Sequence, residues 1–120
     1  MNKKTIVLGA SENPERYSNM AVKRLRAHDH AVVAIGKKEG KVGDVFIQNK
    51  KTDEKEVDTI SVYLNRENQK EYESYILNLH PKRIIFNPGA ENEQLAAKAR
   101  EQGIQPLEAC TLVLLSTNQF

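Results

Sequence analysis

The chain has 120 residues, 39% of them hydrophobic and 28% charged, enough for one hydrophobic core and too few for two domains. Eighteen Lys and Arg against 16 Asp and Glu leave a formal charge of +2, a weak surplus that argues against a dedicated duplex-DNA binder with a concentrated basic face; no nucleic-acid partner is expected. A single cysteine excludes an internal disulfide framework and a structural zinc cluster of cysteines. No apolar stretch approaches the ~20 residues a membrane span requires. The first apolar run stops at Gly9, too soon for the core of a signal peptide, so the expected location is the cytoplasm.

Thr5 to Leu8 reads as a short strand ending at Gly9. A polar turn follows, then a helix from Ser18 with Ala21, Val22 and Leu25 on one face and Lys23, Arg24 and Arg26 on the other. The apolar run Ala31 to Ile35 reads as a strand buried on both faces, as in parallel sheets. Gly36 to Lys41 reads as a basic, glycine-dotted loop, and Val45-Phe46-Ile47 as a weaker strand. Residues 48 to 58 are polar and read as connection. Thr59 to Leu64 is rich in β-branched residues and predicts a strand. Asn65 can cap the next helix, which carries a Tyr72, Tyr75, Ile76, Leu79 stripe and ends at His80-Pro81. Arg83 to Phe86 is another strand, broken at Asn87-Pro88-Gly89. A helix is predicted from about Asn92 to Gln102, stopped by Gly103. A last strand spans Ile104 to Leu107, placed at an edge or a strand start by Pro106. Cys110 to Leu115 is apolar and fits either helix or strand.

This alternation predicts a single α/β domain over residues 1–120, a doubly wound, mostly parallel sheet with helices on both faces. Ligands of such folds bind beyond the carboxyl ends of the strands, at the topological switch point. The loops that follow strands therefore hold the candidate residues.

The first is Gly9-Ala10-Ser11 through Arg16, with Tyr17, Ser18 and Asn19 opening the helix. In a dinucleotide fold this turn presents backbone N–H groups and a helix amino end to a pyrophosphate. Of the usual three-glycine fingerprint only Gly9 is present, and the turn fits a phosphate cradle or a plain helix-capping loop. Tyr17 can stack on an adenine or pack on the sheet. The second loop carries Gly36-Lys37-Lys38, where an NAD-binding fold would place an acid. Lysines there suit a phosphorylated ribose, as in coenzyme A or NADP, or form a solvated basic loop. The third and fourth loops carry amides, namely Asn65, Asn87 and Asn92, with Pro88 and Gly89. They either line the cleft or serve as caps and turns.

No catalytic constellation stands out. His28, His30 and His80 fall at the amino ends of strands, away from such a site, and read as surface or helix-end residues. Cys110 has no evident partner and reads as a small core residue. Glu91 and Glu93 fit a helix's first turn, where acids favour the dipole.

These residues carry a resemblance. Val7-Leu8-Gly9-Ala10-Ser11 with Pro14-Glu15-Arg16-Tyr17-Ser18-Asn19 resembles the opening of the small stand-alone CoA-binding proteins. These are bacterial single-domain relatives of the amino-terminal domain of the succinyl-CoA synthetase alpha subunit. Phe86-Asn87-Pro88-Gly89-Ala90-Glu91-Asn92-Glu93, Ala99 to Ile104 and Glu108 to Val113 extend the match over nearly the whole chain. The resemblance implies a Rossmann-like domain holding coenzyme A or an acyl-CoA. Gly9, Ala10 and Ser11 would form the phosphate cradle, supported by Arg16, Ser18 and Asn19. Gly36-Lys37 would meet the nucleotide end, and Leu64-Asn65-Arg66 the adenine or pantetheine. Many family members have Asn-Pro where this chain has Gly36-Lys37, and residues 48 to 58 follow no family pattern. The synthetase's catalytic phosphohistidine belongs to a second domain, so the resemblance carries binding and not catalysis. The readings that stay open are non-catalytic CoA binding, a small NADP(H)-dependent oxidoreductase or sensor, and an interaction module with a vestigial cleft. The last would act through a homodimer or a partner enzyme, with the apolar Leu112 to Leu115 as its surface or as part of the core.

Overall fold

The computed structural model describes residues 2–120. Seven strands form one sheet: β1 (Thr5–Leu8), β2 (Val32–Ile35), β3 (Gly40–Val42), β4 (Val45–Gln48), β5 (Thr59–Val62), β6 (Arg83–Phe86) and β7 (Gln105–Glu108). Their order is β3-β4-β2-β1-β5-β6-β7, and every pairing is parallel except β3 with β4. Without β3, the parallel strands follow the order of the two-fold mononucleotide-binding sheet, reversing direction of travel across β1 and β5. The fold is Rossmann-like, as the alternation of elements predicts.

The helices are α1 (Tyr17–Ala27), α2 (Arg66–Gln69), α3 (Glu73–Asn78), α4 (Glu93–Glu101) and α5 (Thr111–Ser116). The helix read from the tyrosine stripe is interrupted, because a 3₁₀ turn over Lys70–Tyr72 separates α2 from α3. The ambiguous segment after Cys110 resolves as α5.

Alternation along each strand divides the core in two. Ile6, Leu8, Ile35, Ile60, Val62, Ile84 and Phe86 face α3 and α4, meeting Ile76, Leu95 and Ala99. Val7, Ala34 and Ile47 face α1 and α5, meeting Val22, Leu25 and Leu115. Each such side chain taken fully from water contributes ~1.5–3 kcal/mol before chain entropy is counted. Of the apolar run Leu112 to Leu115, Leu115 is buried in this core while Val113 is 54% exposed, and Phe120 packs against the same cluster.

One strand differs from the sequence reading. Gly40–Val42, expected within a basic loop, pairs antiparallel with β4. A two-residue turn with Gly43 at positive φ closes this hairpin. The hairpin stands where a crossover helix would lie between the second and third parallel strands. The return from β4 to β5 is an irregular segment anchored by buried Val57 and by a Tyr75 hydroxyl donating to the Thr52 carbonyl at 2.7 Å.

At the amino end of the sheet His30 is buried, contrary to the surface reading. Its Nδ1 accepts the Lys3 N–H at 2.9 Å, and its ring lies 5.0 Å from that of Phe120. The Arg83 guanidinium covers Phe120 at 4.2 Å. Among the described residues, no helix is long and apolar enough to cross a membrane.

Candidate functional site

The carboxyl ends of β1 and β2 bring the first two candidate loops into contact. Gly9 takes φ +91°, and a Cβ there would lie 3.2 Å from Tyr63 backbone and side-chain atoms. Only glycine suits both the conformation and the approach. Gly9 and Ala10 both donate their N–H groups to the Ile35 carbonyl, at 2.8 and 3.0 Å. Gly36 follows directly, and a Cβ on it would lie 2.2 Å from the Ala10 carbonyl oxygen. Gly9, Ala10 and Gly36 therefore lock one loop against the other. Their backbone sets the shape of the site, and the Gly9 and Ala10 N–H groups are already engaged.

The rest of the first loop holds itself. Ser11 Oγ accepts from Asn13 N at 3.1 Å, and Asn13 Oδ1 accepts from Glu15 N at 3.0 Å. Asn19 is 2% exposed; its Nδ2 donates to the Ser11 carbonyl at 2.9 Å, and its Oδ1 has no partner. Ser18 is buried beside it. Arg16 occupies the N-cap position of α1 without a side-chain cap bond, and the first turn holds no acid. Among the described residues no acceptor reaches the N–H groups of Ser11, Glu12, Tyr17 or Ser18. The amino end of α1 thus offers free donors and an uncompensated dipole. Tyr17 is 69% exposed rather than packed into the sheet.

Lys37 and Lys38 are exposed on the second loop. Glu12, which sequence reasoning did not single out, crosses from the first loop to β3, just beyond the second loop, and accepts the Lys41 N–H at 2.9 Å. Nothing local marks that contact, because its partners are distant in the sequence. An open cleft of about 530 Å³ lies alongside, lined by Glu12, Lys41, Phe46 and Gln48 among others.

The third and fourth loops are bound to each other by buried amides. Asn65 caps α2, accepting from Asn68 N at 2.8 Å. Asn92 caps α4, accepting from Leu95 N at 3.1 Å, and donates to Gln69 Oε1 at 2.9 Å. Gln69, fully buried, donates in turn to the carbonyls of Leu64 and Ala90. Asn87 is 1% exposed; it donates to Ser61 Oγ and the Val62 carbonyl and accepts from Thr111 N. These side chains form a frame and leave Pro88 and Gly89 on the exposed rim. Glu91 folds back to accept the Gly89 N–H at 3.1 Å.

Tyr63 sits beneath this frame. Burial pushes its phenol up to about 12, and its hydroxyl, close to Thr111 and Ser61, makes no well-formed hydrogen bond. Cys110 stands half-buried at the start of α5 instead of in the core. Among the described residues no group of three or more His, Cys, Asp or Glu is placed to hold a metal ion.

A family model described as a CoA binding domain matches residues 3–116. The crystal structure of an uncharacterized protein superposes with a TM-score of 0.97 at 44% identity, over 100% of this chain and 99% of that one. Cell-free ID.343 from Thermus thermophilus gives a TM-score of 0.84 at 20% identity, over 98% of this chain and 90% of its own. The dinucleotide forming acetyl-coenzyme A synthetase 1 of Ca. Korarchaeum cryptofilum, solved with phosphate and ADP, gives 0.73 at 16% identity. There 89% of this chain matches 25% of the synthetase. No curated protein matches the chain.

Proposed function

The chain belongs to the CoA binding domain family, and from that premise we propose that it binds coenzyme A or an acyl-CoA at the carboxyl ends of β1 and β2, without catalysis of its own. The observation that carries this reading is the uncapped start of α1. Free backbone N–H groups there, with Arg16 at the cap and no acid in the first turn, suit a pyrophosphate. Gly9, Ala10 and Ser11 shape the loop, buried Asn19 ties it to the helix through the Ser11 carbonyl, and Ser18 is buried beside it. Lys37, with Gly36 fixing its backbone, neutralises the 3′-phosphate. Asn65, Asn87, Pro88 and Gly89 border the far side of the cleft, where the pantetheine arm would lie.

Titration calorimetry of ligand-stripped protein with CoA, acetyl-CoA, NADPH and ATP tests this reading. Saturable CoA binding well above NADPH and ATP is expected; preference for NADPH would favour the oxidoreductase or sensor reading. No binding to any of them would point to an interaction module acting through a homodimer or a partner enzyme. The Lys37 assignment predicts that Lys37→Ala weakens CoA about tenfold, the size of one charge-assisted phosphate contact. The same variant should leave 3′-dephospho-CoA nearly unchanged. Equal losses for both ligands would remove Lys37 from the 3′-phosphate.

A further inference from the structure

We infer that Glu12 is a specificity-determining residue of this site, competing with the ribose phosphate of the ligand for the basic segment that runs from the loop after β2 into β3. The inference rests on the CoA reading and adds an opponent to it. Glu12 Oε2 accepts the Lys41 N–H at 2.9 Å. This main-chain donor belongs to Lys41 of β3, which follows Lys37, Lys38 and Glu39 in the chain; a backbone N–H is what a phosphate oxygen seeks, and here a carboxylate of the same chain takes it. Among the described residues, Glu12 has no other hydrogen bond and no ion pair. The contact therefore fastens one exposed side chain to β3 and to nothing else.

Gly40 makes room for it. A Cβ at that position would lie 2.4 Å from Glu12 Cδ and 2.5 Å from its Cγ. The backbone of Gly40 lies outside the positive-φ region, so an alanine is accepted there if the flexible Glu12 side chain moves away. Glu12, Glu39 and Lys41 line the cleft of about 530 Å³, so an anion entering there meets two carboxylates, of which only Glu12 holds the Lys41 N–H. Binding then exchanges one anion for another, and the measured affinity is lowered by the fraction of protein in which Glu12 holds the donor. A ligand without the 3′-phosphate does not pass through this exchange.

The test is titration calorimetry of CoA and 3′-dephospho-CoA against the wild type, Glu12→Gln, Glu12→Ala and Gly40→Ala. Competition predicts that Glu12→Ala tightens CoA about fivefold, the scale of one exposed charge, while dephospho-CoA changes less than twofold. Gly40→Ala, which evicts the carboxylate without deleting it, should move CoA the same way. Glu12→Gln keeps an acceptor for Lys41 N–H and removes the charge, so it should tighten CoA by a smaller factor. CoA binding unchanged or weakened in Glu12→Ala would overturn the inference and make Glu12 a strap that builds the loop. Equal tightening of both ligands would overturn the 3′-phosphate as its competitor. Absence of CoA binding in the wild type and in every variant would instead remove the CoA reading on which the inference stands.

Discussion

Two helices start at the same end of the sheet and treat their amino ends in opposite ways. At α4, Asn92 caps the helix through Leu95 N, Glu93 stands in the first turn, and Glu91 accepts from Gly89 N. At α1 the cap residue is Arg16, which makes no cap bond, and the first turn has no acid. Capping by Asn or Asp contributes ~1 kcal/mol, so α1 forgoes stability that α4 takes. At α4 a cap side chain answers Leu95 N and an acid stands in the first turn, whereas α1 has neither a cap side chain nor a first-turn acid. α5 also starts without a side-chain cap or a first-turn acid, so the open start of α1 supports the proposed site together with the loop geometry after β1.

The largest expected effect breaks the well-capped side. Asn92→Ala should lower stability by ~3 kcal/mol, combining a lost cap with an unsatisfied buried Gln69 amide. Urea denaturation measures the loss. CoA affinity in the folded fraction should stay within about twofold, because the network does not reach α1. A large affinity loss in well-folded Asn92→Ala would mean that the frame and the cradle are one unit.

Gly36→Ala attacks the joint between the first two loops. Its Cβ would approach the Ala10 carbonyl to 2.2 Å, and backbone cannot yield there as a side-chain tip can. A cost of ~2–3 kcal/mol in stability is expected from such overpacking. CoA affinity should fall as well, because the first loop must shift. An alanine variant of unchanged stability would show that the two loops are not held this closely.

Much of this contrast is legible in the sequence, and its most informative part is not. The strands and the helix faces follow from local periodicity: Ile6 and Leu8 alternate with Val7, and Ala21, Val22 and Leu25 share a helix face. Asn65 is recognisable as a cap from its neighbours alone. β3 is not legible, because Gly40-Lys41-Val42 has little strand propensity and becomes a strand by pairing with β4. The Gln69–Asn92 bond and the Glu12–Lys41 bond join residues far apart in the chain, so no local pattern announces them. Asn87 is visible as a loop amide, but its burial under Ser61 and Thr111 is a tertiary fact. Sequence therefore marks the end of the sheet where the site is proposed, while the split between donors already engaged and donors on offer requires the fold.

The comparison is sharpened by giving α1 what α4 has. Arg16→Asp places a capping carboxylate at the start of the helix and removes a cation. Stability should rise by ~1 kcal/mol from the cap and the dipole. CoA affinity should fall about thirtyfold, since a carboxylate now answers the donors and repels the pyrophosphate. The opposite signs are the diagnostic, read from denaturation and titration of the same preparation. A variant that gains stability and keeps its affinity would show that the free start of α1 does not hold the phosphates.

The smallest effect belongs to the other end of the sheet and gives the control. Burial, reinforced by the amino terminus, His28, Lys3 and Arg83, holds His30 below its ordinary pKa of 6.5. Its Nδ1 accepts a backbone N–H and its ring packs on Phe120, so the neutral ring is the form the fold wants. In the unfolded chain His30 binds its proton near pH 6.5, while the folded protein resists until a lower pH. The unfolded state thus carries the extra proton between those two values, and stability rises with pH there. Acidification from pH 7 to pH 5 should therefore lower the denaturation midpoint, and His30→Asn should reduce that slope. CoA affinity should not follow the same curve, because His30 lies at the amino ends of the strands and the proposed ligand site at their carboxyl ends. If stability and CoA affinity were lost together over this window, the two ends of the sheet would be coupled, and the division of labour between them would have to be abandoned.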